Sequence, residues 1–319
     1  MLKQIQRFSI LPAFMLALFL FACSSGGSPD SSDSSNNLPK LTPAGKVNVQ
    51  ATALPPLTAV AQNSVNLNKQ KVTFKDKDGL TLVGYVYKPD GDGPFPTLIW
   101  NHGSEENAGQ GDNFDLLPVP FVSAGYAFFA PVRRGQGESQ GKYIMDVLGD
   151  IADNQDRHDK MVELMSTEQL QDQMAGFDYA KSLPFVDKDR MAVMGCSFGG
   201  IETILGAEKD NNKGYKAAIA LSPGAESWEG SPPLRKMLKE AVTNIKIPIM
   251  ILHPAKDVSL KPGYVLGEQM QDNNQVYALK IFPALGDENG WKHCFGGGTG
   301  TKIWSNEALH FLEKIFPAN

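Results

Sequence analysis

The sequence is short of the residues that mark several kinds of protein. Only three of its 319 residues are cysteine, Cys23, Cys196 and Cys294, too few for a disulfide framework. It has no surplus of basic charge: 30 Lys and Arg against 35 Asp and Glu leave a formal −5, with no basic block beyond the extreme N-terminus. Nucleic acid is therefore not an expected partner. No internal repeat is visible, and the apolar run from Phe8 to Ala22 is short for a membrane-spanning helix. What remains after the first seventy residues suits one domain of roughly 250 residues with a buried core, and leaves no room for a second large one.

The N-terminus has a signal-like layout. Lys3 and Arg7 precede the apolar run, so residues 1–22 read as a secretory signal segment, to be removed and not folded. The run ends in Leu20-Phe21-Ala22-Cys23, which resembles the bacterial lipobox. That resemblance implies a diacylglycerol on Cys23, cleavage before it, and attachment to a membrane through lipid without a spanning helix. An ordinary signal peptide or an uncleaved anchor is the alternative. The following tract, SSGGSPDSSDSSNNLPKLTPAG, has too little apolar content to repay the entropy of ordering, so residues 23–69 read as a flexible tether. Ser24 stands where an inner-membrane lipoprotein would carry Asp, which by the enterobacterial sorting preference implies the outer membrane of a Gram-negative cell envelope.

From Lys71 the pattern becomes that of strands. KVTFKDK and LTLVGYVYKP flank the Asp78-Gly79 turn signal and predict an antiparallel hairpin. The runs PTLIWN, YAFFAPV, RMAVMG, KAAIAL, IPIMILH and VYALKIF are apolar with little alternation, as strands buried on both faces are. Helix-length stretches lie between them, among them EQLQDQMAGFDYAKSL and the closing IWSNEALHFLEKIF. The expected fold class is α/β: a mostly parallel eight-stranded sheet with an N-terminal antiparallel hairpin and helices on both faces, filling residues 70–319. Residues 141–168, rich in Asp, interrupt the alternation and are either a cap over the site or a solvated excursion.

The strongest chemical signal is Gly195-Cys196-Ser197-Phe198-Gly199-Gly200, a G-x-S-x-G placed between a predicted buried strand and a predicted helix. A nucleophile on so sharp a turn needs small flanking residues, and the helix that follows points its first amides at a developing oxyanion. Ser197 is the candidate nucleophile. A serine hydroxyl needs a base, and the base an orienting acid. In the chain order Ser, Asp, His, the base is expected at His293, after the last strand, rather than at His253, which ends a strand, or His310, inside the last helix. The acid is expected at Asp257, the only carboxylate in the loop after IPIMIL, with Asp287 and Glu288 in reserve. The oxyanion donors are expected to be the amides of Phe198 and of Ser104, with Glu105 as second choice. This chemistry calls for no metal and no organic cofactor. Cys196 and Cys294 flank these residues; they read as two small core fillers, a bridge between them being the alternative, and the Cys196 side chain is expected to point away from the pocket. Phe114, Tyr143 and Trp291 are candidate lining residues.

These motifs resemble the α/β-hydrolases, nearest to dienelactone hydrolases and the catalytic domain of prolyl-oligopeptidase-like enzymes. Arg133-Arg134-Gly135-Gln136-Gly137-Glu138-Ser139 resembles their R-G-x-G-x-S loop, and Phe185-Val186-Asp187-Lys188-Asp189-Arg190 their V-D-x-x-R lead-in to the nucleophile strand. Two departures stand out: Ser197 occupies the elbow where dienelactone hydrolases carry Cys, and His253-Pro254 replaces the usual His-Gly. The resemblance implies a serine hydrolase, an esterase first, acting on a small-molecule ester or a short peptide. It implies that the arginine loop shapes the pocket wall, with a structural use for Arg134 preferred to substrate contact. A peptidase or amidase is the alternative within the class, and a catalytically inactive surface-binding protein the alternative outside it.

Overall fold

The computed structural model describes residues 67–111, 114–283 and 292–316. The signal segment, Cys23, most of the tether, and Asp287, Glu288 and Trp291 lie outside them. The fold takes in the last residues assigned to the tether: Leu67 accepts from the Lys88 amide at 3.0 Å, and Lys69 pairs with Asp115 at 2.7 Å.

Strands β1 (Gln70–Lys75) and β2 (Thr81–Tyr87) form the expected antiparallel hairpin. Its turn is closed by Asp76, whose side chain accepts from the Leu80 amide at 2.8 Å. Six further strands follow: β3 (Phe95–Asn101), β4 (Ala127–Val132), β5 (Val186–Cys196), β6 (Tyr215–Leu221), β7 (Ile249–Pro254) and β8 (Tyr277–Phe282). The sheet order is β1-β2-β4-β3-β5-β6-β7-β8, parallel from β4 to β8 and antiparallel at the first two junctions.

The period-two alternation of the strands divides the core into two layers. Met191 and Val193 of β5, Ala218 and Ala220 of β6 and Ile249 and Ile251 of β7 face one side. Helices α4 (Leu170–Ser182), α5 (Phe198–Asp210), α6 (Pro232–Asn244) and α7 (Lys261–Asp272) supply the other half of that layer. Ala192, Met194 and Cys196 of β5, with Ile219, Leu221, Met250 and Leu252, face the opposite side, against α1 (Val119–Ser123) and α8 (Thr301–Ile315).

The segment at 141–168 contains helices α2 (Ile144–Gly149) and α3 (Asn154–Leu164). The Asp153 side chain caps α3 by accepting from the Asp156 amide at 2.9 Å, and α3 then runs through a π-helical turn, Met165–Gln169, into α4. The helix expected to begin near Glu168 is thus the second half of a longer one. This first half packs on α6, and no residue of 144–168 lines the cavity that holds Ser197.

The carboxyl ends of the parallel strands share one edge, and the loops that leave β3, β5, β7 and β8 there carry all the candidate site residues. Open α/β sheets bind their ligands at that edge.

Candidate active site

Ser197 sits between the last residue of β5 and the first of α5 with φ 59° and ψ −118°, a left-handed conformation that costs an L-residue on the order of 1–3 kcal/mol. The surrounding backbone holds it there: the Ser197 amide donates to Leu221 O at 3.0 Å, and Ser197 O accepts from the Ile201 amide at 3.1 Å. The two elbow glycines are required by space. A Cβ on Gly195 would stand 2.5 Å from Asn101 O, and one on Gly199 would overlap the same oxygen. Strand β3 therefore presses directly on the turn that presents the serine.

Asp257 and His293 meet on the other side of the cavity. His293 Nδ1 lies 2.7 Å from Asp257 Oδ1, which also accepts from the Val258 amide at 2.8 Å. The second carboxylate oxygen lies 2.7 Å from His253 Nδ1. Burial of Asp257 opposes its charge, but hydrogen bonds from His253 and His293 outweigh it and hold the carboxyl well below the ordinary carboxylate range. An ionised carboxylate only accepts, so both imidazoles donate through Nδ1, which leaves Nε2 of His293 as the ring nitrogen open to proton exchange. That atom is buried without a hydrogen-bond partner among the described residues, and His293 lines the same cavity as Ser197. Ser197 and His293 form no hydrogen bond with each other.

Sequence reasoning passed over His253. Its signal was its spacing, four residues before Asp257 at the end of a strand, but a histidine ending a buried strand is ordinary without knowledge of where its ring points.

The loop at 102–105, which carries the candidate oxyanion donor, is held by the first residue of the arginine loop. Arg133, buried, donates through Nη2 to the carbonyls of His102 at 2.8 Å and Gly103 at 2.5 Å. Its own amide donates to His102 Nε2 at 3.1 Å, so the neutral ring carries its proton on Nδ1, 2.9 Å from Gly103 O. Burial and the adjacent Arg133 push the His102 pKa far below its usual value, which keeps that arrangement neutral. Because a trans peptide places C=O and the next N–H on opposite sides, a Gly103 carbonyl turned to Arg133 turns the Ser104 amide away from it. The Ser104 carbonyl accepts from Tyr143 Oη at 2.5 Å, so Tyr143 braces the loop; it is not among the residues lining the cavity. Gln136 and Gly137 add bonds of 2.7 Å each to the carbonyls of Glu105 and Glu106. Arg134 has the structural use expected of it: it grips Asp172 of α4 at 2.7 Å and Asp76 of the hairpin at 2.9 Å.

The two cysteines correct the sequence expectation. Cys196 and Cys294 form a disulfide, with Cα atoms 5.8 Å apart, and are not separate core fillers. The alternation along β5 explains it: Cys196 shares its face with Ala192 and Met194, the face against which the 293–300 turn packs. Both cysteines are among the residues that line the cavity.

The cavity, about 430 Å³, is bounded by Trp100, Phe114, Leu117, Leu221 and Trp304, with Ser104, Glu105 and Glu226 as its polar wall beside Ser197 and His293. A larger groove, about 790 Å³, lies along Phe74, Leu170 and Tyr179 and contains none of Ser197, His293 and Asp257. Sheet order, elbow and the strand-end placement of the site together decide the fold family.

The chain has the α/β-hydrolase fold.

Comparison with known proteins agrees. Residues 113–229 match the model of the prolyl oligopeptidase family. The chain is similar to the uncharacterized peptidase YtmA of Bacillus subtilis, 25% identical over 224 residues, spanning 61% of this chain and 76% of that one. Among solved structures it resembles Porphyromonas gingivalis dipeptidyl peptidase 4, with a TM-score of 0.57 and 21% identity over 77% of this chain and only 35% of that one. It also resembles the Pyrococcus furiosus esterase Pf2001, with a TM-score of 0.58 and 17% identity over 79% of this chain and 94% of that one. Its fold is therefore shared with peptidases and esterases, and it spans about a third of the dipeptidyl peptidase it matches.

Proposed function

We propose that this hydrolase cleaves carboxylic esters through an acyl-enzyme, with Ser197 as nucleophile, His293 as base and Asp257 as orienting acid. The observation that carries this reading is the placement of His293: Nδ1 is held by an ionised Asp257, Nε2 has no hydrogen-bond partner among the described residues, and the residue lines the cavity that contains Ser197. His293 Nε2 takes the Ser197 hydroxyl proton as Oγ attacks the ester carbonyl, and the amides of Phe198 and Ser104 receive the oxyanion. Collapse breaks the bond to the leaving alcohol, which takes the proton from His293. Water, deprotonated by the same nitrogen, then attacks the acyl-enzyme and releases the acid and Ser197. Asp257 stays ionised throughout and stabilises the imidazolium. The apolar walls, Trp100, Phe114, Leu117 and Trp304, suit an apolar acyl or alcohol group.

A second reading has one observation in its favour. Glu105 and Glu226 stand on the cavity wall, where a carboxylate would pair with the amine of a peptide substrate. Turnover of p-nitrophenyl butyrate against aminoacyl p-nitroanilides decides between the two. Ester cleavage that disappears in Ser197→Ala is the expected result; cleavage confined to the anilides would make the protein a peptidase, and no Ser197-dependent turnover of either would leave a binding protein.

We also propose lipid attachment at Cys23 in the outer membrane. Cells fed labelled palmitate are expected to label the wild-type chain and not Cys23→Ala, and equal labelling of both would overturn the assignment.

A further inference from the structure

Nucleophile and base reach the cavity from distant parts of the chain, and their immediate neighbours are covalently joined. Cys196 precedes Ser197, Cys294 follows His293, and the disulfide spans a sequence separation of 98. The two ends differ in how well they are otherwise held. Cys196 is the last residue of a strand paired on both sides, to β3 and β6. Cys294 begins four consecutive residues with positive φ: Cys294 at 55°, Phe295 at 56°, Gly296 at 72° and Gly297 at 75°. Two of these are not glycine, so tertiary contacts must impose the conformation. Among the described residues those contacts include the Phe295 ring, buried edge-on against Phe282 at 5.2 Å, the His293–Asp257 bond, and the disulfide. The first two fix the turn relative to β7 and β8. The disulfide ties it directly to the nucleophile elbow.

We propose that the Cys196–Cys294 disulfide is a positioning device for hydrolysis, holding His293 Nε2 in register with Ser197 Oγ, so that the oxidised protein is the competent enzyme. The proposal rests on the assignment of Ser197 and His293 above. A misplacement of about 1 Å in a catalytic group lowers turnover on the order of a hundredfold without removing the substrate-binding walls. Both sulfurs belong to residues that line the cavity, so a small dithiol can reach them. Its two thiols give up two electrons and two protons, Cys196 and Cys294 become free thiols, and the dithiol closes to its cyclic disulfide; a disulfide oxidant reverses the exchange.

The test measures p-nitrophenyl butyrate hydrolysis at 10 °C by the full chain in three forms: oxidised, reduced with dithiothreitol, and Cys196→Ala/Cys294→Ala, each with its fold checked by circular dichroism. The expected result is a ten- to hundredfold fall in kcat in both bridge-free forms, KM within about threefold of the oxidised enzyme, and an equal fall in the rate of fluorophosphonate labelling at Ser197. Reoxidation restores the reduced wild type and not the double variant. A kcat within twofold of the oxidised enzyme, with only the melting temperature lowered, would overturn the proposal and leave the bridge a purely structural role; so would a chain that unfolds at 10 °C on losing it. Failure of the triad assignment is read separately, as oxidised enzyme whose turnover survives Ser197→Ala.

Discussion

The two halves of the site are built in opposite ways. The serine half is over-determined: Ser197 directly follows a central strand, Asn101 O of the neighbouring strand leaves no space for a side chain at Gly199, and α5 begins one residue later. The base half hangs from the far edge of the sheet. His293 opens an irregular turn beyond β8, held by a buried carboxylate, one aromatic ring and a disulfide. A strained nucleophile needs a scaffold that cannot relax, whereas a base needs only one nitrogen at one point, and a few side-chain contacts can fix that.

The largest effect joins the halves. Ser197→Ala and His293→Ala are each expected to lower kcat on the order of a millionfold, and the double variant no further, because the two residues perform one step. Additive losses in steady-state assays would show that the halves do not share a reaction. Asp257→Asn comes next, with a fall on the order of ten-thousandfold, since an amide can no longer accept from both imidazoles and favours the wrong tautomer of His293; stopped-flow acylation rates would measure it.

Two glycines contrast the scaffolds themselves. Gly199→Ala is expected to destabilise the fold by several kcal/mol in urea titration, because the added methyl meets strand backbone. Gly297→Ala meets no atom within 4 Å among the described residues and bears the strain of its backbone, φ 75° and ψ −146°, a cost on the order of 1–3 kcal/mol. Comparable losses would erase the proposed difference in rigidity.

A further effect, one that depends on pH, lies in the helix that follows Ser197. Burial pushes the carboxyl of Glu202, in α5, up to about 8, partly offset by Arg133. A carboxyl that keeps its proton in the fold to about pH 8 but loses it near 4.5 when unfolded makes the fold less stable as pH rises through that window. Glu202→Gln removes this dependence. Its stability advantage over wild type is expected to grow from pH 4.5 to 8, by at most about 1.4 kcal/mol per pH unit, and then to level. A constant difference across that range would mean Glu202 is ionised in the fold.

Much of the serine half was legible in the sequence, because it is local. Strand, glycine, serine, glycine and helix follow one another in the chain, and the elbow's steric demands fall on residues within a few positions of Ser197. The hairpin turn at Asp78-Gly79 and the order of strands and helices were legible for the same reason. Spacing placed Asp257 and His293 in loops that the fold brings to hydrogen-bonding distance. The helical continuation before Glu168 escaped notice because its polar, weakly periodic residues gain their helix from the Asp153 cap and from packing on α6.

What the chain order could not convey is which side chains face each other across the sheet. Arg133 and Arg134 are adjacent and both buried, yet one holds the oxyanion loop and the other the hairpin and α4, because successive residues leaving a strand point to opposite faces. His253 looked like the end of a strand until its ring met Asp257. Cys196 and Cys294 looked like two separate thiols until the face shared by alternate residues of β5 brought them together. The sequence alone determined the fold class and singled out Ser197 as the candidate nucleophile, since both readings follow from local pattern. Only the tertiary structure decided how the base is held, because that depends on strand faces and sheet order.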